Sequence, residues 1–315
     1  MRKKWLILMV CIVFSSGILG YMIKEKYEKK PKIMVVLKAT KPDYWKMMIT
    51  GFQNAFDHYG IEGSILATDN TKEMQLTILK RVLEEKPDAL IFSPENPEAS
   101  ISILKEYNSE NIPVLLVDTD MEEFDKTSFI GTNNSTLGVK AGELLSSMVQ
   151  PNDEILLLGW KSIDHVGRDR IDGANETLTD AGVQTIIREQ SELTEIRPML
   201  TSVLQKNPKL KGIFATDDIM ALEVMKILQE KKINIPVVGA DGIIKMVQLI
   251  EKGILKSTIS QNPYDMGYIS AVNAWKAING EKVIQNIDSD VDIITSDNAK
   301  SKLEFLKKIT GNQDD

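Results

Sequence analysis

The chain has 315 residues, 43% of them apolar and 26% charged, and a net charge of −7. That length exceeds what one compact core holds, so two domains of about 130 residues are the natural division. The acidic balance argues against a nucleic-acid partner, which needs a basic face, and the single cysteine, Cys11, excludes an intrachain disulfide.

Arg2, Lys3 and Lys4 precede an uncharged run, Trp5–Ile23. At about 1.5 Å per residue this run matches the thickness of a bilayer core. Basic residues ahead of it favour an N-in, C-out orientation. The run is expected to be an uncleaved transmembrane anchor, with cleavage after Gly17 or Gly20 as the alternative. Val10 before Cys11 is too bulky for a lipidation site. Residues 1–31 are thus anchor or signal plus a charged linker, outside the fold.

From Lys32 onward, short β-rich runs alternate with amphipathic stretches. Ile33–Leu37 is a strand; a helix over 43–59 lines up Met48, Phe52, Ala55, Phe56 and Tyr59 and stops at Gly60. Strand Ser64–Ala67, a helix over 71–85, strand Ala89–Phe92, a helix entered through Asn96-Pro97 and strand Val114–Val117 follow. The second half runs likewise. Strand Ile155–Leu158 precedes a helix over 166–181, Val183–Ile187 a helix over 195–205, and Ile213–Ala215 a helix over 217–230. Val237–Val238 then leads to Asp241, and a later strand, Leu255–Ile259, ends near Gln261. Such alternation predicts α/β architecture with parallel sheets covered on both faces.

An internal repeat supports two similar lobes. Gly51 to Gly60 and Gly173 to Gly182 have equal spacing. Asn111-Ile112-Pro113-Val114 leads to Asp118 as Asn234-Ile235-Pro236-Val237 leads to Asp241. Gly51 to Asp118 is 67 positions, and Gly173 to Asp241 is 68. Two doubly wound lobes of one design explain this best.

In such sheets ligands bind beyond the carboxyl ends of the strands. Those positions hold Lys38, Asp43, Tyr44, Trp45, Ser93 and Asp118 in the first half. In the second they hold His165, Arg168, Arg170, Asp217, Asp241 and Gln261. Carboxylates, amides and guanidinium groups suit hydroxyls, and aromatic rings suit the C–H face of a pyranose. Asp43 and Asp217 each open a helix, so either is also a plain N-cap candidate. His58 and His165 read as surface residues.

The stretches DYWKMMITGFQNAF, KPDALIFSP, NIPVLLVD, HVGRDRIDGA, GIFATDDIMAL, VVGADG and TISQNPYDMG, taken in order, resemble the type I periplasmic sugar-binding proteins over Lys32–Lys307. The resemblance implies two such lobes, 32–132 plus 263–287 and 133–262 plus 288–308, with a disordered tail over 309–315. It places three hinge crossovers near Asn133, Asn262 and Ile287. It implies ligand contacts from Tyr44, Trp45, Asp118, Arg168, Asp217, Asp241 and Gln261, while Lys38 looks most like the arabinose-binding branch. Ser93 and Thr119 depart from the ribose-binding pattern, which has Asn and Arg there. No second-lobe aromatic is evident near Ser191, where Leu193 is the nearest bulky residue.

The family implies a small sugar as ligand, no cofactor, no metal and a monomer. It implies a membrane ABC permease as partner; the alternative is a sensor histidine kinase or other receptor, to which this chain signals as a membrane-anchored sugar-sensing subunit. A DNA-binding repressor shares this fold, but here an apolar run stands where its helix-turn-helix would be. An enzyme has little support: there is no G-x-G-x-x-G, no Walker A pattern, and only two histidines.

Overall fold

The computed structural model describes residues 30–68, 72–161 and 165–311. The anchor expected over Trp5–Ile23 lies outside these. Among the described residues no helix is long and apolar enough to cross a membrane.

The first sheet is built from β1 (Lys32–Leu37), β2 (Glu62–Ala67), β3 (Ala89–Phe92), β4 (Val114–Val117) and β5 (Ser128–Gly131). The connecting helices are α1 (Asp43–Tyr59), α2 (Lys72–Glu84) and α3 (Pro97–Ser109). The chain then crosses to a second set: α4 (Asn134–Ser146), β6 (Glu154–Trp160), α5 (Val166–Asp180), β7 (Gln184–Gln190), α6 (Ile196–Lys206), β8 (Leu210–Ala215) and α7 (Asp218–Glu230). This set continues with β9 (Val237–Val238), β10 (Ala240–Asp241), α8 (Ile244–Glu251) and β11 (Ser257–Gln261). It returns through α9 (Pro263–Ile278) and β12 (Asn286–Asp288), and crosses a third time to β13 (Val291–Thr295) and α10 (Ala299–Thr310).

The first sheet has the order β12-β5-β4-β3-β1-β2, with every pair parallel. The second lobe holds parallel β7-β6-β8-β9 and a separate β10-β11-β13 ladder. Its last pair, β11 with β13, is antiparallel, a departure from the all-parallel expectation. The cause is the third crossover, which brings the chain back down the sheet without a helical connection.

The central strands of the two larger sheets are buried on both faces, and the period of two shows it. Ile33, Val35 and Leu37 enter one core, while Met34 and Val36 enter another. Likewise Ile155 and Leu157 face one core, and Leu156 and Leu158 the opposite one. Met47 of α1 packs with the second lobe's core, and Thr50 Oγ1 donates to the Ile309 carbonyl at 2.8 Å, so the lobes touch along α1.

The repeated glycines mark equivalent helix crossings. A Cβ at Gly51 in α1 would run into the backbone of Tyr264 and Tyr268 in α9. One at Gly173 in α5 would run into Ser135 and Val139 of α4. We therefore expect Gly51→Ala to lower unfolding free energy by about 1–3 kcal/mol, the cost of overpacking, despite alanine's better helix propensity. Urea denaturation checks this, and an unchanged midpoint would mean the helices part freely. Gly60 ends α1 at φ 64°, where its N–H reaches the Phe56 carbonyl.

At the chain's end, α10 runs through Thr310 and so takes in the first two residues of the expected tail. Its apolar face is held by Ala299 and Leu306, and Gly311 terminates it at φ 71°.

Candidate ligand site between the lobes

Strand ends converge where the lobes meet. Lys38 follows β1, Ser93 follows β3 and Asp118 follows β4. Asp118 takes φ 71°, a left-handed conformation that Asp tolerates better than most residues, which turns its carboxylate inward. Lys38 Nζ donates to Asp118 Oδ2 at 3.2 Å and to Thr119 Oγ1 at 2.6 Å. The Tyr44 hydroxyl donates to Asp118 Oδ1 at 2.7 Å. Thr119 and Ser93 hydroxyls add donations at 3.0 and 3.4 Å.

The second lobe supplies the rest. Tyr44 Oη lies 3.5 Å from Gln261 Oε1, which accepts from Thr132 Oγ1 at 2.8 Å. Gln261 Nε2 donates to Asp241 Oδ1 at 2.7 Å. Arg170 Nη1 stands 3.9 Å from the same oxygen, donates to the Thr216 carbonyl at 2.7 Å, and its Nε donates to Asn134 Oδ1 at 2.8 Å. One polar chain thus runs from Lys38 to Arg170 across both lobes.

Charge is distributed unevenly along it. Burial would raise Asp118, but the Lys38 charge and the bonds from Tyr44, Lys38 and Thr119 outweigh it and hold the carboxyl below its usual range. Burial, then Asp118, keeps the Tyr44 phenol well above its ordinary value, so it stays a donor. On the other side, burial drives Asp241 up to about 7; Arg170 opposes this and Asp217 adds to it. Asp217 and Asp218 are also raised, chiefly by burial. Asp218 is fully buried and accepts from the Ile243 N–H at 2.8 Å, while its own N–H donates to Asp241 Oδ2 at 3.2 Å.

Asp217 is an N-cap, accepting the Met220 N–H at 2.8 Å, and it also accepts the indole N–H of Trp160. Asp43 lies in the first turn of α1 and pairs with exposed Lys46 at 3.2 Å, away from the polar chain. Trp45 packs edge-on against Tyr44 with centroids 5.3 Å apart and is half-buried. Arg168 is exposed near the start of α5, and the guanidinium inside the cluster is that of Arg170. Both histidines, His58 and His165, are exposed.

Strand-end position does not single out several residues of this cluster. Thr132 and Asn134 flank the first crossover, whose sequence carries no ligand signal of its own. Leu193 is 41% exposed and off the cluster. The second lobe's aromatic is Trp160, the last residue of β6, legible only as the end of the run ILLLGW.

The crossovers lie side by side. Asn133 caps α4 and its N–H donates to Asp288 Oδ1 at 3.1 Å, while Asn262 Nδ2 donates to the Ser289 carbonyl at 3.2 Å. Ile287 sits in β12, the edge strand of the first sheet. Two lobes, three crossovers and a polar chain at their junction coincide with a match of residues 33–282 to the periplasmic binding protein domain. The chain belongs to the type I periplasmic sugar-binding family.

The curated relatives of this periplasmic binding protein include the ribose import binding protein of Haemophilus influenzae, 22% identical over 89% of this chain and 97% of that one. Another is the D-allose-binding periplasmic protein of Escherichia coli, 24% identical over 81% and 86%. Among solved structures, an arabinose binding protein from Geobacillus stearothermophilus superposes with a TM-score of 0.78 at 22% identity, covering 87% of this chain and 99% of that one. These relatives are solute-binding proteins, not enzymes.

Proposed function

We propose that this protein captures a small sugar between its lobes, on the extracytoplasmic side, and delivers it to a membrane ABC permease. The observation that carries this reading is the polar chain from Lys38 through Asp118, Tyr44, Gln261 and Asp241 to Arg170. Its groups are paired donors and acceptors from both lobes, so a polyol can replace the internal bonds with its own hydroxyls. Lys38, Tyr44, Ser93 and Asp118 hold the sugar from the first lobe; Asp217, Asp241 and Gln261 hold it from the second. Tyr44 and Trp45 offer one aromatic wall and Trp160 the other. Arg168, exposed at the start of α5, closes on the bound sugar, and Asp43 supports α1 beside the aromatic pair.

Ligand shifts the lobes only by its differential affinity for the closed form. Hinging at Asn133, Asn262 and the β12–β13 turn changes the lobe angle without unravelling either sheet. The apolar run Trp5–Ile23 tethers the protein near its permease. A fixed tether also suits a sensor kinase as the receiving partner.

A sugar screen by thermal shift tests this on the full chain. A binder at 100 times its Kd should add about 2.7 kcal/mol of stability. Arg168→Ala should lose that response yet melt as wild type without sugar, because the side chain is exposed. A wild-type sugar response in both Arg168→Ala and Asp241→Ala would refute the proposed site.

A further inference from the structure

Free space at the lobe junction does not lie within the polar chain, whose groups bond to one another. It lies beside it, in a cavity of about 820 Å3 walled by both lobes. Thr119, Thr132 and Asn134 are shared between the two: they touch Lys38, Gln261 and Arg170 on one side and line the cavity on the other. Drug-sized ligands occupy pockets of roughly 300–1,000 Å3, so one sugar ring would leave most of this volume to water.

The lining has two characters. Ile101, Met121 and Phe129 of the first lobe and Val166 of the second form an apolar part. Phe129 is half-buried, and its ring lies over Gly131, where any Cβ would collide with it, so the glycine gives the ring a fixed seat. Glu98, Glu122, Glu123, Asp169 and Asp288 supply carboxylates, while the nearby Asp120 pairs with Lys126 at 2.6 Å. An aromatic platform edged by acceptors fits the C–H face and hydroxyl rim of a second sugar ring. At the shared wall stands Thr119, whose hydroxyl bonds to Lys38 and Asp118 while the residue lines the cavity.

We infer that the ligand is a disaccharide or glycoside, with one ring on the polar chain and a second over Phe129 and Met121 in this annex. The inference rests on the sugar-binding reading and adds the size class of the sugar.

Calorimetric titration of the full chain in lipid nanodiscs, free of sugar-headed detergents, tests it with four matched pairs. These are D-xylose and xylobiose, L-arabinose and arabinobiose, D-glucose and cellobiose, and D-galactose and galactobiose. In the pair that binds, the disaccharide should bind about tenfold or more tightly than its monosaccharide. Ile101→Trp, which fills the annex, and Phe129→Ala, which removes the platform, should each erase that gain and leave the monosaccharide Kd unchanged. A monosaccharide that binds as tightly as its disaccharide overturns the inference and leaves sugar binding standing. So does a disaccharide gain that survives both variants. Silence from all four pairs, where the thermal-shift screen returns another monosaccharide as ligand, overturns the inference and leaves sugar binding standing; a silent screen as well overturns both.

Discussion

Arg170→Ala is expected to lower the unfolding free energy by about 3–5 kcal/mol, the range for removing one partner of a buried ion pair. Arg170 is only 5% exposed; it donates to Asn134 Oδ1 and the Thr216 carbonyl and stands 3.9 Å from the Asp241 carboxylate. Its loss strands the Thr216 carbonyl and leaves Asp217 and Asp241 without the cation that lowers both. A buried acceptor left unpaired costs about 1–3 kcal/mol by itself. Chemical denaturation measures the total, and a second variant apportions it. Adding Asp241→Asn to Arg170→Ala should recover part of the loss, because the uncompensated charge goes with the carboxylate. If the double variant is no more stable than Arg170→Ala, the guanidinium acts here through hydrogen bonds rather than charge. The cost should also be smaller at pH 6 than at pH 8, because Asp241 can take up a proton in place of its partner.

That dependence leads to the second large effect. The folded pKa of Asp241 is about 7, above the ordinary carboxylate value of 3.8. The folded state therefore holds a proton that the unfolded chain has released. This contribution is fully present below the unfolded value and is lost as pH rises from about 4 through 7. Asp217 and Asp218 shift in the same direction. Asp118 shifts oppositely, but it is ionised in both states above pH 5, so it does not offset the trend there. The ligand-free protein should thus lose on the order of 1–3 kcal/mol of stability between pH 5.5 and pH 8, since each pKa unit is worth about 1.4 kcal/mol. Asp241→Asn should flatten part of that slope, with the remainder left to Asp217 and Asp218. A ligand-free stability that rises over this interval would mean that these carboxylates are ionised and well solvated. Salt should change the slope little, because buried charges are weakly screened.

Much of this architecture was legible before any coordinates. The strands read out because both faces are buried, so Ile33–Leu37 and Ile155–Leu158 are unbroken apolar runs. The helix over 43–59 and its stop at Gly60 follow from apolar spacing and a left-handed cap. The return path was less visible. Strand β12 has three residues, two of them exposed, and β13 has five, of which Val291 and Ile294 are buried and Asp292 and Ile293 exposed, so neither shows the unbroken apolar run of a central strand. Their pairing with β5 and β11 joins residues 157 and 30–38 positions apart, respectively, beyond the reach of local pattern.

The site divides the same way. Asp118, Asp241 and Gln261 stand at strand ends, and topology alone puts strand ends at a ligand cleft. Which arginine turns inward is another matter. Arg168 and Arg170 are two residues apart on a helix, about 200° around its axis, so one faces solvent when the other faces the core. The sequence RDR contains both, and only the packing of α5 against α4 selects Arg170 as the buried one. Trp160 is similar: its residue type suggested nothing until the start of α7 placed Asp217 against its indole N–H.

Apolar periodicity and turn chemistry are local and repeat along the chain, so the sequence by itself determined two α/β lobes, their internal likeness and the row of strand ends that face each other. How those side chains pair, which carboxylates share one guanidinium, and how much space is left beside them depend on distances between residues far apart in sequence. Only the tertiary structure decided those, because burial and Coulomb energy change steeply over a few ångströms while sequence spacing across two lobes carries no record of them.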